Sequence, residues 1–174
     1  DYLTKIDSRL AKANFATDIE TILDQMQLYD GPKEKRIIKN VAAMMFSEHP
    51  EKFFPTTQVD IVVFPKGREV DPENFIEVPP IKGPVPMMIR NSLEYLRTNI
   101  IKERITKPTD DERSLKVFNY PFQALEEAVV NALYHRDYKE REPVEITIEP
   151  DRISILSYSG PDRSISLESL KEAN

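Results

Sequence analysis

Between Phe122 and Tyr138 the chain reads FQALEEAVVNALYHRDY, its longest clean amphipathic pattern. Leu125, Ala128, Val129, Ala132 and Leu133 recur there at helical spacing and predict one buried stripe. Pro121 sets the start, because a first helical turn has no use for the N–H that proline lacks. Glu127, Asn131 and His135 follow one another at four-residue intervals and stack on a different face. Three other stretches share the helical period. Thr17 or Asp18 can cap a helix that buries Ile19, Ile22, Leu23 and Met26. A second is expected from Lys33 to Ser47, with Ile37, Ile38, Val41, Ala42, Met44 and Met45 inward. A third runs from about Val85 to Asn99 on Met88, Ile89, Leu93, Tyr95 and Leu96.

Elsewhere the period shortens to two. Gln58 to Phe64 (QVDIVVF) is a β-branched run whose near-continuous apolarity predicts a strand buried on both faces. Phe75 to Val78 is a second short strand. Prolines 79, 80, 84 and 86 make a stiff connector that excludes central strand and mid-helix. Residues 100–120 fit two strands around a Pro108–Arg113 loop. Val144–Ile148 and Arg152–Leu156 alternate around Pro150-Asp151 as the clearest hairpin, and Ser166 to Ala173 starts another helix. The expected class is α/β (α+β): N-terminal helices, then a mixed sheet with helices on one face. Residues 1–50 read as a helical linker region and 51–174 as the α/β domain.

Composition narrows the chemistry. The chain has 174 residues, 40% hydrophobic and 31% charged, enough for a real core. A net charge of −6 argues against broad binding to a phosphate backbone. The basic concentration at Lys33, Lys35, Arg36 and Lys39 fits a solvated helical face. The absence of cysteine removes disulfides, thiolate nucleophiles and zinc–thiolate sites, and is compatible with a cytoplasmic address. No signal segment or membrane span is visible. His49 and His135 lack partners at zinc spacing, and no P-loop, dinucleotide fingerprint or nucleophile elbow occurs. Asp1 is no initiator methionine and the last helix-like segment stops at Asn174, so the chain reads as a piece of a longer protein.

One pair carries candidate chemistry. A carboxylate one turn from a carboxamide, as at Glu127 and Asn131, can hold a water beside a hard cation, with Glu on the water and Asn on magnesium. The same spacing is common on plain exposed helices. His135-Arg136-Asp137-Tyr138 reads as a helix C-terminus, with His and Arg at the negative dipole end and Asp137 turning the chain by a side-chain to backbone bond.

The string ALEEAVVNALYHRDY, followed by the hairpin and SYSGP, resembles the central domain of bacterial RecG-like, helicase-related transcriptional regulators. In that family a Schlafen/Alba-type domain precedes a divergent relative of the GHKL ATPases, and a winged helix often follows. The matching positions are Tyr120-Pro121, Ala124-Leu125, Glu127, Asn131-Ala132 and His135 to Tyr138, and NVAAMMFSEHPEKFFPTTQVDIVVF resembles the family's inter-domain segment. The resemblance implies a truncated GHKL-like sandwich with an ATP site: Glu127 as water-activating base, Asn131 as magnesium ligand, and Asn131, His135, Asp137 and Gly160 as nucleotide-binding positions. It also implies DNA partners reached through domains outside this chain; a homo-oligomer is a separate expectation.

The chain departs from the pattern where GHKL enzymes carry an adenine-reading Asp-x-Gly-x-Gly. It has Ser157-Tyr158-Ser159-Gly160-Pro161 there, so hydrolysis by this segment alone is not expected. A non-catalytic module that positions DNA-binding domains is the alternative expectation.

Overall fold

The computed structural model describes residues 19–106 and 115–158. It contains helices α1 (Ile19–Gln25), α2 (Asn40–Phe46), α3 (Val85–Tyr95) and α4 (Phe122–Tyr134). The strands are β1 (Tyr29–Asp30), β2 (Ile37–Ile38), β3 (Gln58–Val63), β4 (Ile76–Glu77), β5 (Ile81–Lys82), β6 (Glu103–Thr106), β7 (Leu115–Phe118), β8 (Val144–Ile148) and β9 (Ile153–Leu156). The mixed α+β class is the one expected. The expected cap at Thr17 or Asp18, the Pro108–Arg113 loop, Gly160 and the Ser166–Ala173 helix lie outside the described residues.

β3 and β8 run parallel at the centre of the main sheet, paired from Val59↔Val144 to Val63↔Ile148. β9 pairs antiparallel with β8, and β4 and β5 pair antiparallel with β3 on its other side. Along the helix-facing side, Val59, Ile61, Val144 and Ile146 are at most 1% exposed. They pack with Met88, Leu93 and Leu96 from α3 and its extension, and with Val129 and Leu133 from α4. Fully burying such a side chain contributes about 1.5–3 kcal/mol, so this layer dominates the stability. On the opposite side β3 and β8 present Asp60, Val62, Glu145 and Thr147, which are half-buried. The strand expected to be buried on both faces therefore alternates instead, with its polar face partly covered by the loop after Phe64.

Two further expectations are corrected. Lys33 to Ser47 is not one helix: a 3-10 turn at Lys33–Lys35 leads to β2, and α2 begins only at Asn40. The consecutive β-branched Ile37 and Ile38 favour an extended chain and pair with Asp30 and Tyr29. Arg36 fixes the turn, bonding Asp24 at 3.2 Å and stacking on Tyr29. Ile37, Ile38 and Val41, expected inward, are exposed. Gly31 (φ +84°) permits the reversal, since a Cβ there would lie 2.7 Å from the Lys35 carbonyl oxygen.

The proline-rich connector contains a strand that periodicity missed. Between the β4 and β5 pairings the outer chain has one residue more than β3, because Glu77 faces Val62 while Ile81 faces Val59. This bulge at Val78–Pro80 puts Ile76 and Ile81, five positions apart, in register with residues of the same sheet face. Pro84 and Pro86 then open α3, which extends through a π turn at Leu96–Ile100 to the expected end. The β6–β7 pair and the β8–β9 hairpin form as expected.

Candidate functional site on the last helix

α4 buries Leu125, Val129 and Leu133, a strict every-fourth-residue stripe, while Ala132 is half-buried and Ala128 is exposed. The buried stripe is thus narrower than the sequence pattern. Glu127 and Asn131 lie two positions from stripe residues, roughly 200° around a 3.6-residue helix, and so point away from the sheet. Both are exposed, and neither side chain makes a hydrogen bond or ion pair to another described residue. A carboxylate and a carboxamide therefore stand free, one turn apart, on a helix whose opposite side is fixed in the core. His135 ends the helix, its N–H donating to the Asn131 carbonyl at 3.0 Å.

The following residues anchor this end rather than extend the free pair. Arg136 is only 5% exposed. Its Nη2 donates to the Thr56 hydroxyl and to the carbonyls of Glu140 and Glu142. The guanidinium carbon sits 5.0 Å from the centroid of the Tyr138 ring, so a π face supports the buried cation. Its Nε and Nη1 have no partner among the described residues, and burial lowers its pKa from the usual value. The Tyr138 hydroxyl donates to the Leu133 carbonyl at 2.6 Å, and Ser157 Oγ donates to the Ala132 carbonyl at 2.8 Å. These two donors satisfy carbonyls that the last helical turn leaves open. Burial pushes the Tyr138 phenol up to about 12.

Asp137 behaves as expected: Oδ1 accepts from the Lys139 N–H at 2.9 Å, a local side-chain turn. It also lines a cleft of about 330 Å³ between α2 and α4, walled by Met44, Met45, Phe54 and Leu133. Neither Glu127 nor Asn131 lines that cleft. The structure thus places Glu127 and Asn131 together, sets Asp137 apart on the following loop, and uses Arg136 and Tyr138 as a clasp. The burial of Arg136 leaves no periodic trace, because its side-chain acceptor on Thr56 is 80 residues away.

Among the described residues no group of three or more His, Cys, Asp or Glu side chains is arranged to hold a metal. A magnesium ion met by Asn131 would keep most of its oxygen shell from water and phosphate, which suits a single protein carboxamide. No helix of the described residues is long and apolar enough to cross a membrane.

The fold defines a mixed α+β domain with both long helices on one face of the main sheet. The crystal structure of the DIP2311 protein from Corynebacterium diphtheriae is similar to it, with a TM-score of 0.60 and 20% sequence identity. That match covers 90% of this chain and 30% of the other, so the similarity is one of fold. No family model and no curated protein matches the chain.

Proposed function

We propose that this chain is the central, degenerate ATPase-like domain of a bacterial transcriptional regulator, regulatory rather than a free-standing enzyme. Glu127 and Asn131 form one wall of its magnesium–nucleotide site. The observation that carries this reading is the pair of free polar side chains on a rigidly seated helix. The spacing also occurs on plain exposed helices; what supports the reading is that this juxtaposition suits a water held beside a hard cation at the positions the family resemblance marks. When bound, a magnesium nucleotide would supply the phosphate charge that Asn131 meets through the metal, and Glu127 would orient a water. Ser157 caps Ala132, and the adenine-reading sequence is absent. The reading is therefore of binding without turnover by this segment, with DNA contacted through other domains.

Calorimetric titration of Mg-ATP into the full-length protein and into this chain tests it. Binding is expected to weaken about tenfold in Asn131→Ala, the loss of one charge-assisted contact. Absence of heat in both proteins, at concentrations that would reveal micromolar affinity, would sink the nucleotide reading.

The exposed apolar residues Ile37 (61%), Ile38 (54%) and Phe53 (63%) favour a second reading, a dimerisation module that positions DNA-binding domains. It predicts a concentration-dependent mass by ultracentrifugation, with Glu127→Ala and Asn131→Ala silent in both assays.

A further inference from the structure

The sheet face opposite the helices is not bare. A trough of about 580 Å³ runs along it, floored by β3 and β8 and walled by β4 and the loop after Phe64. Asp60 and Glu145 are direct register partners on the parallel strands, so their side chains stand next to each other on this face. Glu77, opposite Val62, adds a third carboxylate. Asp60 accepts from Gln58 Nε2 at 2.8 Å, and neither Glu77 nor Glu145 has a side-chain partner among the described residues. Like charges in register repel, so a further cation is favoured beside Arg68, the one guanidinium that lines the trough.

The walls suit a cation with an apolar stem. Phe64 and Phe75 meet at 5.8 Å with a 44° tilt. Arg68 already lies over the Phe64 ring at 5.9 Å, while Phe75 remains 46% exposed. The trough therefore has three carboxylates, one guanidinium engaged with a ring, and a second ring left open. Lysine and arginine side chains match such a surface, with the stem against the ring and the head among carboxylates. We infer that this face docks an extended segment of a partner protein through its basic side chains, by charge complementarity with Asp60, Glu77 and Glu145. This surface lies on the other side of the sheet from Glu127 and Asn131 and is independent of any nucleotide.

Fluorescence anisotropy with a labelled peptide of alternating lysine and glycine tests the assignment, with an alternating glutamate–glycine peptide and spermidine as comparators. The near-isosteric double variant Asp60→Asn/Glu145→Gln is compared with Glu20→Gln/Glu34→Gln, two exposed positions outside the trough that change the net charge equally. The trough variant is expected to weaken lysine-peptide binding about tenfold or more, and the control variant about twofold or less. Equal weakening by the two variants would reduce the effect to the general attraction of an acidic chain for a polycation and overturn the site. No saturable binding by the parent protein would also overturn it. Spermidine binding as tightly as the peptide would overturn the choice of a protein segment as occupant. Should the double variant fail to fold, Glu77→Gln at the exposed sheet margin gives the same comparison against Glu34→Gln.

Discussion

The Arg136 guanidinium donates to the hydroxyl of Thr56, a β-branched residue held at a left-handed φ of 62°. Such a conformation costs on the order of 1 kcal/mol or more for a side chain of this type. Thr56 directly precedes the buried Thr57 and the start of β3, so the end of α4 is tied to the entry of the central strand. The strained residue thus belongs to the clasp that seats the helix bearing Glu127 and Asn131.

The strain sets an unusual order of variants. Thr56→Gly and Thr56→Ala both lose the hydroxyl acceptor, but only glycine also escapes the left-handed penalty. Thr56→Gly is expected to be the more stable by about 1 kcal/mol in urea unfolding, although alanine usually wins in a loop. The reverse order would show that the strain is not present.

Replacing Arg136 tests the clasp from the other side. Lysine keeps the charge but its shorter stem stops short of the hydroxyl and two carbonyls that the Arg136 Nη2 reaches. Arg136→Lys is expected to destabilise the chain by about 1–3 kcal/mol, because the part-buried carbonyls of Glu140 and Glu142 and the Thr56 hydroxyl lose a donor. Chemical denaturation within error of the parent would exclude a clasp. Glu127→Ala and Asn131→Ala, which leave no partner behind, are expected to stay within about 0.5 kcal/mol of the parent.

Alkaline pH acts on the same end of the helix. The Tyr138 phenol has its pKa raised from 10.0 to about 12, chiefly by burial. The unfolded phenol therefore ionises first, and the folded state holds its proton more tightly. The associated stability is complete below pH 10 and falls by on the order of 2 kcal/mol as pH rises towards 12. Tyr138→Phe lacks this dependence but forfeits the bond to the Leu133 carbonyl, about 1 kcal/mol at neutral pH. The gap between parent and variant should close between pH 10 and 12, and a constant gap in the unfolding series would contradict the burial argument.

Acid acts elsewhere. Arg152, bonded through Nε, and the Arg68 N–H hold the Glu149 carboxyl below its ordinary 4.5. A depressed folded pKa gives stability that is present above pH 4.5 and lost as pH falls through the folded value. Glu149→Gln keeps an acceptor but does not titrate, so its acid unfolding midpoint should be less steep in pH than the parent's. Identical profiles would remove Glu149 from the acid response.

The elements with one dominant period were legible from residue types alone. α3, α4 and the β8–β9 hairpin form where their apolar spacing puts them, and Asp137 makes its anticipated turn. Where two local preferences competed, pattern reading failed. Ile37 and Ile38 fit a helical stripe and a strand equally, and pairing with Tyr29 and Asp30 decided for the strand. β5 was hidden because a proline-rich stretch reads as a connector; the prolines exclude a central strand, and a two-residue segment at the sheet margin is compatible with them. The Glu127–Asn131 pair was visible because it is local to one helix. The Arg136 clasp and the acidic trough were not, since each depends on contacts made only once distant segments meet.

The bulged margin formed by β4 and β5 also gives the sheet a direction. Pro79 and Pro80 bring no N–H to that border, and the two strands there are each two residues long, so another strand finds little to bond to. Among the described residues β9 pairs on one side only, with β8. Among the described residues the β4–β5 border is thus blunted against further pairing, while β9 ends the sheet on the other side. A domain edged in this way resists runaway edge-to-edge stacking through its proline-bearing margin.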